Sequence, residues 1–526
     1  MSAIGGAIKG FFNSFLVLKG AMRELWIIFG VKILAIIAYS TMNKTLVLWL
    51  SSDLGFSDKS AGFWLGLWTA FMTLVTVLVG SLTDAIGLRK AFLLGIGICI
   101  FARVVMTFTT IKVLALFFGL IPLAVGEAMG TPVMVAATRR YSTTAQRSMS
   151  FSLFYTTMNM GFLIAAVIFD LLRKGLGEYG HWSIPLLGVQ LSTYRTIFLV
   201  SLLVELTVFP LLYFGLREGA EATDDGGVRI VPRGARCEPP ICAACGYDLA
   251  GSAGGTCPEC GVAVGSDGRS GGAGVWRALL STTRDTLRET VRIFAGLWQQ
   301  PGFYRFLAFL TLAAMVRLIF VQMDYIYPKF GIRELGEGAP IGRLWGLNSL
   351  FIIVLVPVVG ALSQKISAYR MVTFGSAIAA ASVYILTLPP GWFQGLADGA
   401  VTRWLAGWYL GLTGAINPWY VMIFIYVVVL SLGEAIYSPR LYEYAAAIAP
   451  KGQEGTYMSM SYLPFFLAKL LIATPSGLLL ARYCPAEGPR DSATLWLIIA
   501  LITTVAPVGL LLLGRYIRVP EAGRND

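Results

Sequence analysis

The chain has 526 residues, of which 56% are hydrophobic and only 13% are charged, and its mean hydropathy is +0.71. A soluble domain carries about one quarter charged residues, so this composition excludes an ordinary soluble protein and predicts a membrane protein with many spans. The net charge of +12 coincides with no basic stripe on a soluble recognition fold, which disfavours a nucleic-acid-binding protein.

The predicted spans are helices. Uncharged runs such as 61–83 and 404–433 reach the roughly 20 residues that a helix needs to cross a bilayer, whereas barrel strands would alternate in short segments. No cleavable signal precedes the first span, so we expect the first helix to direct insertion. Apolar windows predict about twelve spans, which begin near residues 25, 61, 91, 113, 150, 194, 303, 344, 370, 417, 457 and 494.

These spans predict an all-α membrane protein with two six-helix halves, residues 1–217 and 303–526. Basic residues mark every second short loop, as they do in cytoplasmic loops. We therefore expect a multi-pass protein of the inner cell membrane, with both termini and the central loop in the cytoplasm. The basic residues that mark these loops are Arg89, Lys90, Arg139, Arg140, Arg147, Lys365, Arg370, Arg440 and Lys451.

The loop after the second span has a counterpart in the second half. "GSLTDAIGLRK" at 80–90 and "GALSQKISAYRM" at 360–371 share a glycine, a leucine and a final basic residue at equivalent positions. Both loops lie two helices into a six-helix unit. This placement indicates duplicated halves of the kind found in transporters.

The segment between the halves, 218–274, is rich in glycine and poor in apolar residues at its flanks, which predicts flexible linkers. Its centre, 237–261, contains two CxxC pairs of the kind that hold Zn²⁺ in a tetrahedral site, so we expect a zinc-ribbon-like module with a structural ion. A redox disulfide or an iron site remains the alternative. The expected ligands are Cys242, Cys245, Cys257 and Cys260.

The segment 275–302 follows this module and spaces its large apolar residues at close to the helical period, with arginines between them. This pattern predicts an amphipathic helix on the cytoplasmic membrane surface or against the ends of the membrane helices.

The loop at 80–90 resembles the signature loop of the major facilitator superfamily, in which a glycine, an aspartate and paired basic residues control the change of access. Ala85 departs from the pattern, because a basic residue is usual there. The resemblance implies a gating role for Gly80, Asp84, Gly87, Arg89 and Lys90.

A narrower resemblance extends over most of the membrane portion. "AYSTMNKTLVLWLSSDLGFSDKSAG", "FSLFYTTMNMG", "LNSLFIIVLVP" and "LSLGEAIYSP" are similar, in order, to parts of the first, fifth, eighth and tenth helices of the proton-dependent oligopeptide transporters. In that family the matching asparagines and glutamate surround the amino group of a bound peptide. The resemblance implies that Asn159, Asn348 and Glu434 bind solute, with Tyr39 and Gln322 as further matching positions.

Other family positions differ. "KILAI" at 32–36 stands where the family has its ExxER motif, and Thr131 and Asn43 replace a lysine and an arginine. Peptide transport by the family's own mechanism is therefore in doubt. Because Lys32 and Glu127 look like exchanged charges, we expect an ion pair between them that offsets part of the cost of burying each. In the alternative, Lys32 snorkels and Glu127 is a separate protonatable site.

Three further basic residues within spans, Lys44, Arg103 and Arg317, are expected to snorkel toward the membrane surface. The chain has one histidine, His181, in a predicted external loop, so histidine-based catalysis is disfavoured and no enzyme is expected.

The expected function is secondary transport of a small peptide-like, amine-bearing or cationic solute by alternating access, with protons as a candidate coupling ion through Glu434 or Glu127. The alternative is a membrane sensor or scaffold that has lost transport and signals to a cytoplasmic partner through the zinc ribbon.

Overall fold

The computed structural model describes residues 18–86, 88–143, 146–184, 188–223, 227–230, 301–363, 366–448, 472 and 475–518. The first half contains six long helices: α1 Arg23–Ser52, α2 Asp58–Ile86, α3 Leu88–Phe108, α4 Ile121–Arg140, α5 Arg147–Leu176 and α6 Thr193–Gly215. The longer described helices of the second half are α7 Pro301–Tyr325, α8 Tyr327–Leu335, α9 Ile341–Leu362, α10 Ala368–Val383, α11 Pro418–Ile448 and α12 Ser492–Ile517, and two short helices, Gln394–Ala397 and Ala400–Leu405, lie between α10 and α11.

Ten helical spans within the described residues are long and apolar enough to cross a membrane. The prediction of a multi-pass helical membrane protein is therefore confirmed. The span predicted near residue 457 falls largely on 449–471, which lies outside the described residues. The predicted zinc ribbon at 237–261 also lies outside them, as does the predicted amphipathic helix except for positions 301 and 302, where α7 begins.

Several elements were not predicted. Two antiparallel hairpins pair His181–Ile184 with Val189–Ser192 and Ala220–Ala222 with Val228–Ile230. A π-helical segment, Ala115–Leu120, precedes α4. The uncharged run 404–433 is not one helix, because Gly411 takes a left-handed conformation with φ of 70° before Pro418 begins α11.

Glycine pairs hold two helix pairs at equivalent places in the two halves. A Cβ atom built on Gly433 of α11 would lie 2.8 Å from the Gly375 carbonyl oxygen of α10, and one built on Gly126 of α4 would lie 2.8 Å from the Gly95 carbonyl oxygen of α3. Only a residue without a side chain permits this backbone approach, which is common between membrane helices. A glutamate follows Gly126 and another follows Gly433, and each lies about 100° further around its helix than the glycine before it.

Replacing Gly433 by leucine should therefore destabilise the fold by at least about 1–3 kcal/mol, because the added atoms overlap the backbone of α10. Denaturation of the purified protein in detergent measures this loss. The matched control is Gly97→Leu, since nothing lies within 4 Å of a Cβ atom built on Gly97. Equal stability of the two variants would contradict this account of the packing.

The two halves are joined by polar contacts where α1 and α5 end and where α2 and α9 begin. The Asp58 carboxylate accepts hydrogen bonds from Lys329 Nζ at 2.5 Å and from an Arg333 nitrogen at 2.9 Å. The Asp170 carboxylate accepts from the backbone N–H groups of Gly342 at 2.9 Å and Arg343 at 2.5 Å. These contacts join the halves at one end of the helix bundle.

A second set of contacts extends this closed end. Arg173 is ion-paired with Glu178 and donates a hydrogen bond to the Ala339 carbonyl oxygen at 3.0 Å. The Glu178 carboxylate accepts from Gly338 N–H at 3.3 Å. Arg173 and Glu178 belong to the first half, whereas the backbone groups of Gly338 and Ala339 belong to the second. The ion pair therefore also holds the halves together.

Candidate solute site

A cavity of about 730 Å³ lies between the two halves. A cavity of this size falls within the usual range for sites that bind small molecules, about 300–1,000 Å³. The polar residues that line it include eight from five helices: Lys32, Tyr39, Asn43, Glu127, Glu205, Arg317, Asp324 and Glu434.

Glu434 lines the cavity from α11. The packed Gly433 fixes this side of α11 against α10, so the glutamate is directed elsewhere around the helix. Its carboxylate accepts a hydrogen bond from Asn348 Nδ2 of α9 at 2.9 Å, and the same nitrogen is 3.0 Å from the Ser431 hydroxyl. Ser431 in turn donates to the Val427 carbonyl oxygen at 2.7 Å. The structure thus places two of the five predicted solute-binding residues, Asn348 and Glu434, in one hydrogen-bonded group.

The other predicted solute-binding residues have different surroundings. Asn159 donates a hydrogen bond to the Tyr155 carbonyl oxygen of its own helix at 3.0 Å. Gln322 accepts one from the Ser476 hydroxyl at 2.8 Å. Tyr39 lines the cavity. Among the predicted solute-binding residues, Glu434 and Tyr39 line the cavity. The described hydrogen bonds of the Asn159 and Gln322 side chains are to other groups of the protein.

The two packed glycines belong to a repeat that the sequence analysis missed. Residues 126–132 read "GEAMGTP" and residues 433–439 read "GEAIYSP", so glycine, glutamate, alanine and proline recur at the same spacing. Both prolines lie inside long helices, α4 and α11. Glu127 and Glu434 both line the cavity, so the two halves contribute equivalent carboxylates to it.

The carboxylate of Glu127 is bonded to arginine. Arg103 of α3 donates a hydrogen bond to Glu127 Oε1 at 2.5 Å and another, from Nε, to the Ser201 hydroxyl of α6 at 2.9 Å. The predicted snorkelling of Arg103 is wrong, because its side chain is buried and 0% exposed. A buried guanidinium must be paired, and the neighbouring carboxylate supplies the pair.

The predicted ion pair between Lys32 and Glu127 is not formed, since Arg103 takes that carboxylate and no described carboxylate oxygen lies within 4.0 Å of Lys32 Nζ. Lys32 is 1% exposed and lies with its ammonium 4.6 Å from the centre of the Phe154 ring. A cation over an aromatic face is moderately stabilised. Lys44 is buried as well, so its predicted snorkelling is also wrong.

The predicted gating loop is described only in part. Gly87 lies outside the described residues, and Gly80 and Asp84 belong to α2. Arg89 donates a hydrogen bond to the Tyr213 carbonyl oxygen at 2.5 Å and lies over the Tyr213 ring. Lys90 is exposed. Arg89 therefore joins the start of α3 to the end of α6.

Two helical halves around a polar, solute-sized cavity define the class of secondary transporters. The family model of the Major Facilitator Superfamily matches residues 28–406, which is more than half of the chain. The chain therefore belongs to the major facilitator superfamily. No curated protein sequence matches the chain significantly.

Solved structures of oligopeptide transporters share the fold. A POT family transporter in complex with 5-aminolevulinic acid superposes with a TM-score of 0.61 at 15% identity, covering 94% of this chain and 97% of that one. A peptide transporter POT in complex with sulfate gives 0.62 at 16% identity, covering 94% and 95%. An auto-inhibited POT family peptide transporter gives 0.61 at 18% identity, covering 96% and 99%.

Proposed function

We propose that this protein transports a small peptide-like or otherwise amine-bearing solute across the inner membrane by alternating access, and that Glu434 binds the positive group of that solute. The observation that carries the proposal is a partly buried carboxylate in the wall of the central cavity, oriented by the Asn348 amide at 2.9 Å. A carboxylate in a site of reduced dielectric attracts a cation strongly.

The charges around Glu434 favour a cationic group. Arg317, Asp324 and Glu434 line the cavity from the second half, and together they carry one negative charge in excess when all are ionised. A solute ammonium group would balance this excess. The 5-aminolevulinic acid and peptide conjugate bound by similarly folded transporters are small solutes of the same kind.

The contacts between the halves support alternating access. They lie at the end of the bundle that the basic loops predict to be external, so the described conformation would be closed to the outside. The cavity lining continues toward the other end, as far as Val135 and Ser438. Opening the external end would require these contacts to break, as in the rocking of one half against the other.

Uptake into proteoliposomes from a mixed pool of dipeptides, amines and amino acids tests the proposal. We expect accumulation of amine-bearing members and little uptake of members that lack a positive group. A pH gradient applied in parallel shows whether protons drive the uptake. Absence of uptake of every member, by protein that is correctly folded and inserted, would contradict transport of this solute class.

A further inference from the structure

Glu205 of α6 is a buried carboxylate that the proposed solute site does not use. Its side chain lines the cavity and is 4% exposed. The nearest cation that contacts it is Arg103, whose terminal nitrogen lies 4.0 Å from Glu205 Oε2. No described residue donates a hydrogen bond to this carboxylate. A buried carboxylate without a hydrogen-bond donor readily accepts a proton.

Arg103 is hydrogen-bonded to only one of the two neighbouring glutamates. It is hydrogen-bonded to Glu127 and Ser201, and Ser201 is itself fixed because it donates to the Ala38 carbonyl oxygen of α1 at 2.8 Å. The second terminal nitrogen of Arg103, Nη1, is buried and has no hydrogen-bond partner. The guanidinium is thus held against Glu127, and its Nη1 group has no acceptor. Glu205 lies further from the guanidinium than Glu127 does.

Lys32 is the second cation of this group, which we call the N-half cluster: Lys32, Arg103, Glu127 and Glu205. Lys32 lines the cavity, and no described carboxylate oxygen lies within 4.0 Å of its ammonium. Because Glu127 is bonded to Arg103, an acidic group of a solute could approach Lys32 from the cavity. Such an approach would pair the ammonium directly.

The charges of the N-half cluster balance when all four groups are ionised. Glu205 faces Arg103 and the Cys99 thiol from α3 and Glu127 from α4, and Lys32 of α1 lines the same cavity. Helix α6 also packs against α5, whose charged residues lie near its two ends. These residues are Arg147, Asp170, Arg173 and Lys174.

An added anion would leave the cluster with an excess negative charge in a medium of low dielectric, at a high electrostatic cost. One proton on Glu205 removes that excess. We propose that Glu205 binds the transported proton and Lys32 binds an acidic group of the solute, so that the two ligands enter together. This inference rests on the proposed function, and it adds the coupling site and a second charged group, so that the solute is a zwitterion.

The step forms one O–H bond on Glu205 with a proton from external water, and the same bond breaks when the proton leaves to the cytoplasm. No other bond changes. When Glu205 is protonated, Glu127 is the only charged partner of Arg103. The positive charge of Lys32 is then available to pair with the solute anion. The order of the two arrivals does not matter, because each favours the other through the same balance of charge.

The first test uses Glu205→Gln, which has the shape of the protonated glutamate. Labelled dialanine is measured in two assays: uptake driven by a pH gradient, and exchange against internal dialanine without a gradient. The parent should respond to the gradient, whereas the variant should exchange at a rate within about threefold of the parent and show no response to the gradient. The control Glu24→Gln removes a buried carboxylate that is paired with Arg217 outside the cavity, and should behave as the parent does.

Gradient-driven uptake that persists in Glu205→Gln would overturn the assignment of the proton to Glu205. Loss of exchange as well, in protein of normal stability, would also overturn it, because Glu205 would then be needed for more than the proton. Failure of the parent to transport dialanine in either assay would contradict the proposed peptide-like solute instead. The two proposals are therefore separated by the exchange assay on the parent.

The second test addresses Lys32. Dialanine and its carboxamide compete against labelled dialanine in the exchange assay. Lys32→Gln should raise the half-inhibitory concentration of dialanine by about 10-fold or more, the loss expected for a hydrogen bond between charged groups. It should change that of the carboxamide by less than about threefold. Equal changes for both competitors would overturn the assignment of the acidic group to Lys32.

Discussion

Replacing Glu434 by glutamine is expected to weaken the binding of an amine-bearing solute by about 30-fold or more. Removing one partner of a buried charge pair commonly costs about 2–5 kcal/mol, and the Asn348 amide that now orients the carboxylate cannot supply the lost charge. Equilibrium binding of a radiolabelled solute, chosen from those taken up from the mixed pool, measures the change. Transport should fall in parallel.

The matched control is Ser431→Ala. The Ser431 hydroxyl contacts the same Asn348 nitrogen at 3.0 Å, so this variant disturbs the orientation of the amide and leaves the carboxylate intact. A neutral hydrogen bond of this kind is worth about 1 kcal/mol, and the expected loss of affinity is about fivefold. If Glu434→Gln binds the solute within about threefold of the parent, the cation site is elsewhere.

Replacing Asp170 by asparagine is expected to shift the protein away from the conformation in which its contacts join the two halves, by about 10-fold to 100-fold. Its carboxylate accepts from the second and third N–H groups of α9, in the opposite half, so it caps that helix from across the interface. Hydrogen bonds to a charged group contribute about 1.5–3 kcal/mol, and the amide loses both the charge and one acceptor.

Amide hydrogen exchange measures this shift without added labels. Peptides that cover residues 336–345 should exchange faster in Asp170→Asn than in the parent. The control is Asp53→Asn, because the Asp53 carboxylate accepts from Ser192 at 2.6 Å within one half and at the same end of the bundle. Unchanged exchange of 336–345 in Asp170→Asn would show that the cap does not hold the halves together.

The sequence was informative about helices and about the contact between Asn348 and Glu434. Most long uncharged runs form spans, because every backbone polar group must be satisfied within the bilayer, although the run 404–433 does so only from Pro418 onward. The contact between these two residues came from a family resemblance rather than from physical periodicity. Hydrophobic patterns alone do not show which polar residues on different helices face one another.

The pairing of Glu127 was wrong for a related reason. The depth of a residue can be counted along its span, and Lys32, Arg103 and Glu127 can all be placed inside the membrane this way. The direction in which each side chain points depends on helix packing, which a weak hydrophobic pattern does not fix when both lipid and protein neighbours are apolar. The sequence predicts that Arg103 snorkels, whereas the structure places it against Glu127.

One feature of the sequence indicates the direction in which two of the glutamate side chains point. The repeat of glycine, glutamate, alanine and proline at 126–132 and 433–439 marks two helices that pack closely on a neighbour through the glycine. With the glycine facing its neighbour, the following glutamate must face elsewhere, and in both halves it lines the cavity. The bond of Asn159 to its own helix had no such signal, because any buried amide can turn back to a carbonyl oxygen.

Competition between a transported solute and its N-acetylated derivative tests the central claim most directly. Acetylation removes the positive charge and adds an acetyl group that is the same in both comparisons, and binding is measured on the parent and on Glu434→Gln. We expect the free amine to bind the parent at least about 30-fold more tightly than the acetylated form, with this preference lost in the variant. Equal preference for the amine in both proteins would show that Glu434 does not bind the positive group.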